Sequence, residues 1–368
     1  MKLKRITIIN HLTGWNVKDL VFDTYLTLLV GASGVGKTLI LRAIKDISNI
    51  ANGSSINGFE WDVTFENNGN VYQWTGKFTK TNNNSNYFKL DTQEYPIICE
   101  SLRCGNHLII QRENDQILLN DQQTVKLDTA KSAIALLKEE DEIKPVFNAF
   151  RQIFELVNYN DSIKISPFLS KKRDEIKELK DIHNSPFLSP IEKLFILRKQ
   201  RLPQFEKIKE LFTDIFKNIE DIDFSLEQLF DDTMYPVLKI KERGVDAWIM
   251  QDSISSGMFR TLSQITFLVL AQDGDIILID EFENGLGVNC IDQLADQILD
   301  ADQNIQVIIT SHHPYIINSI PFEKWKVVTR NRCNLKVLTA DDLKIGKHSK
   351  HDAFMQLIQT NAYRMGVV

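Results

Sequence analysis

The run Thr27-Leu-Leu-Val30 breaks into Gly31-Ala-Ser-Gly-Val-Gly-Lys-Thr38, after which apolar residues resume at helical spacing. The octapeptide fits the phosphate-loop pattern GxxxxGK[ST] at every fixed position, and its context, strand before and helix after, is the one that pattern requires. Gly31, Gly34 and Gly36 let the main chain wrap closely around a polyphosphate, so that the amides of the loop, those of Ser33 and Val35 included, and the positive end of the next helix face the phosphate oxygens. Lys37 can reach the β- and γ-phosphates, and the Thr38 hydroxyl suits Mg²⁺, a hard cation that prefers oxygen. A chain with this loop is expected to bind a nucleotide, with ATP and Mg²⁺ as the pair to test.

At 368 residues, 43% hydrophobic and 25% charged, the chain has ordinary globular composition and enough length for two lobes with cores. Its apolar runs, such as Ile276-Ile-Leu-Ile279, are strand-length, and the N-terminal segment lacks the apolar core of a signal peptide. The expectation is a cytoplasmic protein with no membrane partner. A net charge of −6 gives no general attraction for nucleic acid, so DNA binding would need a local basic patch. The four cysteines form no CxxC pair, which argues against a disulfide framework or a zinc site.

Three segments follow from the patterning. Residues 1–127 read as a first lobe carrying the phosphate loop and an antiparallel β-rich patch, in which alternating aromatic and β-branched segments (59–65, 71–79, 87–90, 97–99, 108–112 and 117–119) are separated by polar turns. Residues 128–250 read as a helical insertion, with helices at 128–140, 145–157, 171–182, 191–200 and 204–219, then a hairpin turning at Gly244. Pro167, Pro186, Pro190 and Pro203 interrupt any heptad run, so a compact helical lobe is expected and no long coiled coil. Residues 251–368 read as a second α/β lobe, with strands at 275–279, 305–310, 324–329 and 334–338 and helices after 253 and at 288–299.

In that last segment Asp275-Ile-Ile-Leu-Ile-Asp-Glu281 is a buried strand that ends in two carboxylates. Behind a phosphate loop, Asp280 is placed to hold Mg²⁺ through water and Glu281 to orient and polarise the attacking water. A second buried strand ends in Thr310-Ser-His-His-Pro314; His312 could donate to a γ-phosphate as its charge grows, with His313 as the lesser choice. Ser255-Ser-Gly257 reads as the start of a helix, where Ser255 is a natural N-cap.

The ordered set of phosphate loop, Ile254-Ser-Ser-Gly-Met258, Ile276-Ile-Leu-Ile-Asp-Glu281, Glu283-Asn-Gly-Leu286 and Thr310-Ser-His312 resembles an ABC-type ATPase head of the SMC/RecF/OLD branch, especially the small ATP-binding proteins of prokaryotic defence modules. The resemblance implies a head-to-tail homodimer that sandwiches two ATP. Ser255, Ser256 and Gly257 would then contact the nucleotide held by the other subunit, and Asn284 and Gly285 would lie at the dimer seam. Two departures stand out. The glutamine that links lobe motion to Mg²⁺ in such proteins is not placed by the sequence, with Gln111, Gln122 and Gln123 as guesses, and the stretch given after His312 is short for a Toprim nuclease domain, so none is expected in it. His348 and His351 in the tail read as solvated residues.

Two functions follow as expectations. The first is an ATP-gated dimer switch in an anti-phage or toxin-like module, read by a separate effector protein. The second is a RecF-like DNA-binding ATPase of repair, whose basic surface would come from Lys171, Lys172, Arg173, Arg198, Lys199, Arg201, Lys207 and Lys209, all interleaved with acidic residues.

Overall fold

A computed structural model describes residues 1–81, 94–156, 179–185, 188–228, 234–284, 304–346 and 349–367. The chain divides into two units that interleave along the sequence: Met1–Glu155, Asp273–Phe282 and Asn304–Val368 form the first, and Leu156–Gln272 with Glu283–Gln303 the second.

The first unit is built on one large mixed sheet. Strands β1 (Lys2–Asn10), β2 (Asn16–Val21) and β3 (Leu26–Val30) lead into helix α1 (Lys37–Ala51), followed by β4 (Phe59–Asn67), β5 (Asn70–Phe78), β6 (Ile97–Cys104), β7 (His107–Glu113), β8 (Gln116–Leu119) and β9 (Gln122–Gln123). Then come the short helices α2 (Ala133–Leu136) and α3 (Lys144–Phe150) and strand β10 (Ile153–Leu156). The chain returns to this sheet with β14 (Ile276–Ile279), β15 (Gln306–Thr310), β16 (Trp325–Asn331) and β17 (Asn334–Leu338). Strand order is β10-β14-β15-β3-β16-β17-β2-β1-β4-β5-β6-β7-β8-β9.

Two chemistries of strand explain the two halves of this sheet. β3, β14 and β15 are buried along their whole length and pair in parallel, with Ile279 opposite Ile309 and Thr310 opposite Leu29. Unbroken apolar runs suit strands covered on both faces. β4 and β5 instead alternate buried and half-buried residues in antiparallel pairing, as the sequence pattern predicts for a patch with one wet face. Trp61, Phe65, Trp74 and Phe78 from their inner face share a core with Ile40, Leu41, Ile44 and Ile47 of α1, and Phe150 of α3 packs edge-on against Phe65 at 5.1 Å.

Three helical expectations shorten. Over 128–140 only α2 is helical, because the carbonyls of Asp128 and Lys131 accept from the Arg112 guanidinium (3.1 and 2.7 Å) and are tied into a loop. The helix expected over 145–157 ends at Phe150, and Ile153–Leu156 becomes an edge strand, with the Ile276 amide donating to the Gln152 carbonyl at 2.9 Å. The helix expected to reach 219 stops at Ile215, because Ile219 begins a ten-residue strand. The expected strand at 87–90, the helix at 288–299 and most of that at 171–182 lie outside the described residues.

In the second unit, α4 (Leu179–Asn184), α5 (Pro190–Lys199) and α6 (Pro203–Ile215) precede an antiparallel sheet of β11 (Ile219–Gln228), β12 (Met234–Glu242) and β13 (Trp248–Met250) and then α7 (Ser256–Leu270). The hairpin turn at Gly244 is as expected, its φ of +76° open to glycine. α1 and α7, 15 residues each, are the longest described helices. No described helix is long and apolar enough to cross a membrane.

Candidate functional site

Parallel pairing puts the C-terminal ends of β3, β14 and β15 at one edge of the sheet, which is where open α/β sheets hold ligands. The phosphate loop leaves β3 there. Its three glycines all have positive φ, +145° at Gly31, +80° at Gly34 and +110° at Gly36. A Cβ on Gly31 would meet the Val328 carbonyl at 2.5 Å and one on Gly36 the Leu335 side chain at 2.6 Å, so the loop's path is possible only with glycine. Around Gly34 the space is open, and Ser33 and Gly34 are exposed while Val35 is buried. Helix α1 begins at Lys37 with no side-chain cap, so its first-turn amides are directed at whatever the loop encloses. The Lys37 ammonium donates to the carbonyls of Gly31 (2.7 Å) and Ala32 (3.0 Å), across the mouth of the loop.

The carboxylates arrive from β14. Asp280 accepts from the Thr38 hydroxyl through Oδ2 at 2.9 Å, a contact between residues 242 apart in sequence. Its Oδ1 accepts from the Thr310 hydroxyl at 2.6 Å. Glu281 follows with φ of +47°, rare for a residue with a side chain, and its amide donates to the Thr310 hydroxyl at 2.8 Å. Thr38 and Asp280 present hard oxygen donors side by side, the donor chemistry that Mg²⁺ takes.

β15 then delivers the histidines. His312 is exposed, and its carbonyl faces the Tyr363 hydroxyl at 3.5 Å. His313 acts structurally, as the N-cap of helix α8 (Pro314–Ser319), its Nδ1 accepting from the Tyr315 amide at 3.3 Å. The fold thus brings Gly31, Ser33, Gly34, Val35, Gly36, Lys37, Thr38, Asp280, Glu281 and His312 to one edge of the first unit. Sequence reasoning quoted Thr310 at the end of its strand but gave it no role; the only signal was a hydroxyl closing the run Val307-Ile-Ile309.

In the second unit Ser255 caps α7, its hydroxyl accepting from the Met258 amide at 3.3 Å, and Ser255 and Ser256 are exposed at the helix start with Gly257 half-buried. Arg260, one turn on, donates to the Asn284 carbonyl and side-chain oxygen at 3.0 and 3.1 Å. Gly285 lies outside the described residues, as does His348. The glutamine candidates do not join the site: Gln111 is on β7, eight strands from β3 in the ladder, and Gln122 and Gln123 form β9 at the sheet's far edge. Antiparallel pairing of the β-rich patch carries them away from the phosphate loop. Among the described residues no cluster of three or more His, Cys, Asp or Glu could hold a metal.

Comparison with known proteins bears on the family and the fold. The family model described as "AAA domain, putative AbiEii toxin, Type IV TA system" matches residues 134–318, half of the chain, a span that holds Asp280, Glu281 and His312 and begins after the phosphate loop. No curated protein sequence is significantly similar to the chain. Among solved structures, the SmcHead bound to the C-winged helix domain of ScpA matches with a TM-score of 0.50 at 16% identity, over 92% of this chain and 97% of that one. An Smc head domain with an extended coiled coil, bound to the C-terminal domain of ScpA derived from Pyrococcus furiosus, matches with a TM-score of 0.50 at 14% identity, over 93% and 98%. At such identities the likeness is one of fold: an α/β ABC-type ATPase head with a phosphate-loop core, as the order of motifs implied.

Proposed function

Because the chain belongs to this AAA-domain family and folds as an SMC-type ATPase head, we propose that it binds and hydrolyses ATP as an ATP-gated homodimer. The observation that carries the reading is the 2.9 Å contact of Thr38 with Asp280, which joins the phosphate loop to the acidic strand end across two-thirds of the sequence. In this reading the loop amides and Lys37 hold the triphosphate, and Thr38 with Asp280 would hold Mg²⁺. The ion, when bound, neutralises charge on the phosphate oxygens. Glu281 orients and deprotonates the attacking water, and His312 donates to the γ-phosphate. Ser255, Ser256 and Gly257 present helix-start amides to the nucleotide of the other protomer, with Asn284 and Gly285 at the seam.

Glu281→Gln is expected to slow phosphate release by about a hundredfold or more while leaving ATP bound, the range that loss of a general base produces. The variant should then elute as a dimer with ATP and Mg²⁺. Hydrolysis at the wild-type rate would remove Glu281 from its assigned role.

For the biological load we propose a toxin-like or anti-phage module with a separate effector, supported by the toxin–antitoxin wording of the family's own description. Toxicity only on co-expression with the product of a neighbouring gene would agree; toxicity of either alone would not. For the DNA-repair reading, Arg198 pairs with Asp223 at 2.9 Å and Lys209 with Asp221 at 2.6 Å, so these two cations of the expected basic surface are already partnered by carboxylates. Lys171, Lys172 and Arg173 lie outside the described residues.

A further inference from the structure

Three hydroxyl or carboxyl groups form an unbroken chain from the phosphate loop to the turn that carries Glu281. Thr38 donates to one oxygen of Asp280, Thr310 donates to the other, and the same Thr310 oxygen accepts from the Glu281 amide. A hydroxyl has one proton and two lone pairs, so this arrangement fixes its direction: the proton goes to Asp280 and a lone pair to Glu281. Thr310 is wholly buried and opposes Leu29 in the ladder, near the end of the strand that feeds the phosphate loop. Its carbonyl also accepts from the Phe282 amide at 3.0 Å, so one residue holds two successive amides of the turn. Glu281 needs such restraint, since its φ of +47° is costly for a residue with a Cβ and persists where the surroundings dictate it.

Resting on the ATPase reading above, we propose that Thr310 is a positioning residue for hydrolysis, setting the Asp280 carboxylate and the Glu281 turn from a single oxygen. Valine matches threonine in shape and replaces that hydroxyl with a methyl. Without the hydroxyl, Asp280 Oδ1 and the Glu281 amide each lose their side-chain tie to β15, which removes one restraint on the turn that carries the water-orienting carboxyl. Displacements of about 1 Å in a reacting group can cost about a hundredfold in rate. The Lys37 ammonium bonds the carbonyls of Gly31 and Ala32, so nucleotide binding without Mg²⁺ does not rest on the Thr310 hydroxyl.

The test compares Thr310→Val with Thr310→Ser in the full-length protein. Valine is expected to lower kcat by about ten- to a hundredfold, with the Kd for a fluorescent ATP analogue measured without Mg²⁺ unchanged, and serine to restore most of the rate. A valine variant with wild-type kcat, or a serine variant as slow as valine, overturns the proposal. Hydrogen exchange of the nucleotide-free wild type adds a readout that needs no variant to fold: peptides covering 280–282 should be protected, and exchange at the rate of an open loop there also overturns it. A wild-type chain that hydrolyses no ATP sinks the ATPase reading and this one together. An active ATPase indifferent to Thr310→Val sinks only this one.

Discussion

Single atoms decide more here than residue classes suggest. Gly76 in β5 has ordinary strand geometry, yet a Cβ there would lie 2.2 Å from the Trp61 ring, which is buried edge-on against Trp74 at 5.0 Å. The glycine is a space requirement and not a conformational one. Gly76→Ala should therefore cost about 1–3 kcal/mol through forced displacement of the indole, read as a lower denaturant midpoint. In the phosphate loop both requirements act at once, with positive φ and no room for a side chain at Gly31 and Gly36. The motif was legible because positive φ is a local demand, whereas the lack of room is set by Val328 and Leu335 from the far end of the sequence. Thr310 was not, because its importance comes from two partners 30 and 29 positions earlier in the chain.

Between elements, buried charge does the fastening. Glu100 of β6 is fully buried, accepting from the Trp74 indole (2.9 Å) and the Ala133 amide (2.8 Å), and burial holds its carboxyl above the ordinary range. Arg112 of β7 lies 3.8 Å away and donates to the carbonyls of Asn114, Lys131 and Asp128. Arg112→Ala would strand Glu100 and leave three carbonyls without that donor, for a loss of about 3–5 kcal/mol in equilibrium unfolding. On α1, burial foremost and the nearby Glu155 charge next push the Asp46 carboxyl up to about 6, against the pull of Arg42. Its folded value lies above the unfolded one, so folding favours the protonated form. That contribution is whole below about pH 4 and lost as pH rises through 6. Asp46→Asn should accordingly stabilise the protein by about 1 kcal/mol at pH 8, reduced from the full linkage value by residual hydration, and give no gain near pH 4. Thermal melts at the two pH values check the sign.

At the scale of the molecule, the proposed function depends on a second copy. If each site takes its phosphate loop from one protomer and its serine-capped helix from the other, Lys37→Ala and Ser255→Arg should each be inactive alone. A mixed dimer would carry one doubly damaged and one intact site, so an equimolar mixture should regain about a quarter of wild-type activity, as random pairing of symmetric protomers gives. Sites complete within one chain would show no recovery. The chain passes from one unit to the other between Phe282 and Glu283, just beyond Glu281, so the turn bearing that carboxylate is bonded directly to the unit that carries Ser255.

By itself the sequence determined the phosphate loop, the buried strands that flank it, the alternating β-rich patch and the order of the motifs, because each depends on neighbours a few residues apart. The tertiary structure decided where the helices of 128–157 give way to loop and strand, since an arginine and an edge of the sheet compete there for backbone groups that a helix would otherwise use. It also decided that Gln111, Gln122 and Gln123 lie far along the ladder, that His313 is a cap, and that Thr310 joins the Asp280 carboxylate to the Glu281 amide. Strand order and long-range hydrogen bonds are properties of pairing between distant segments, and local pattern carries no record of them.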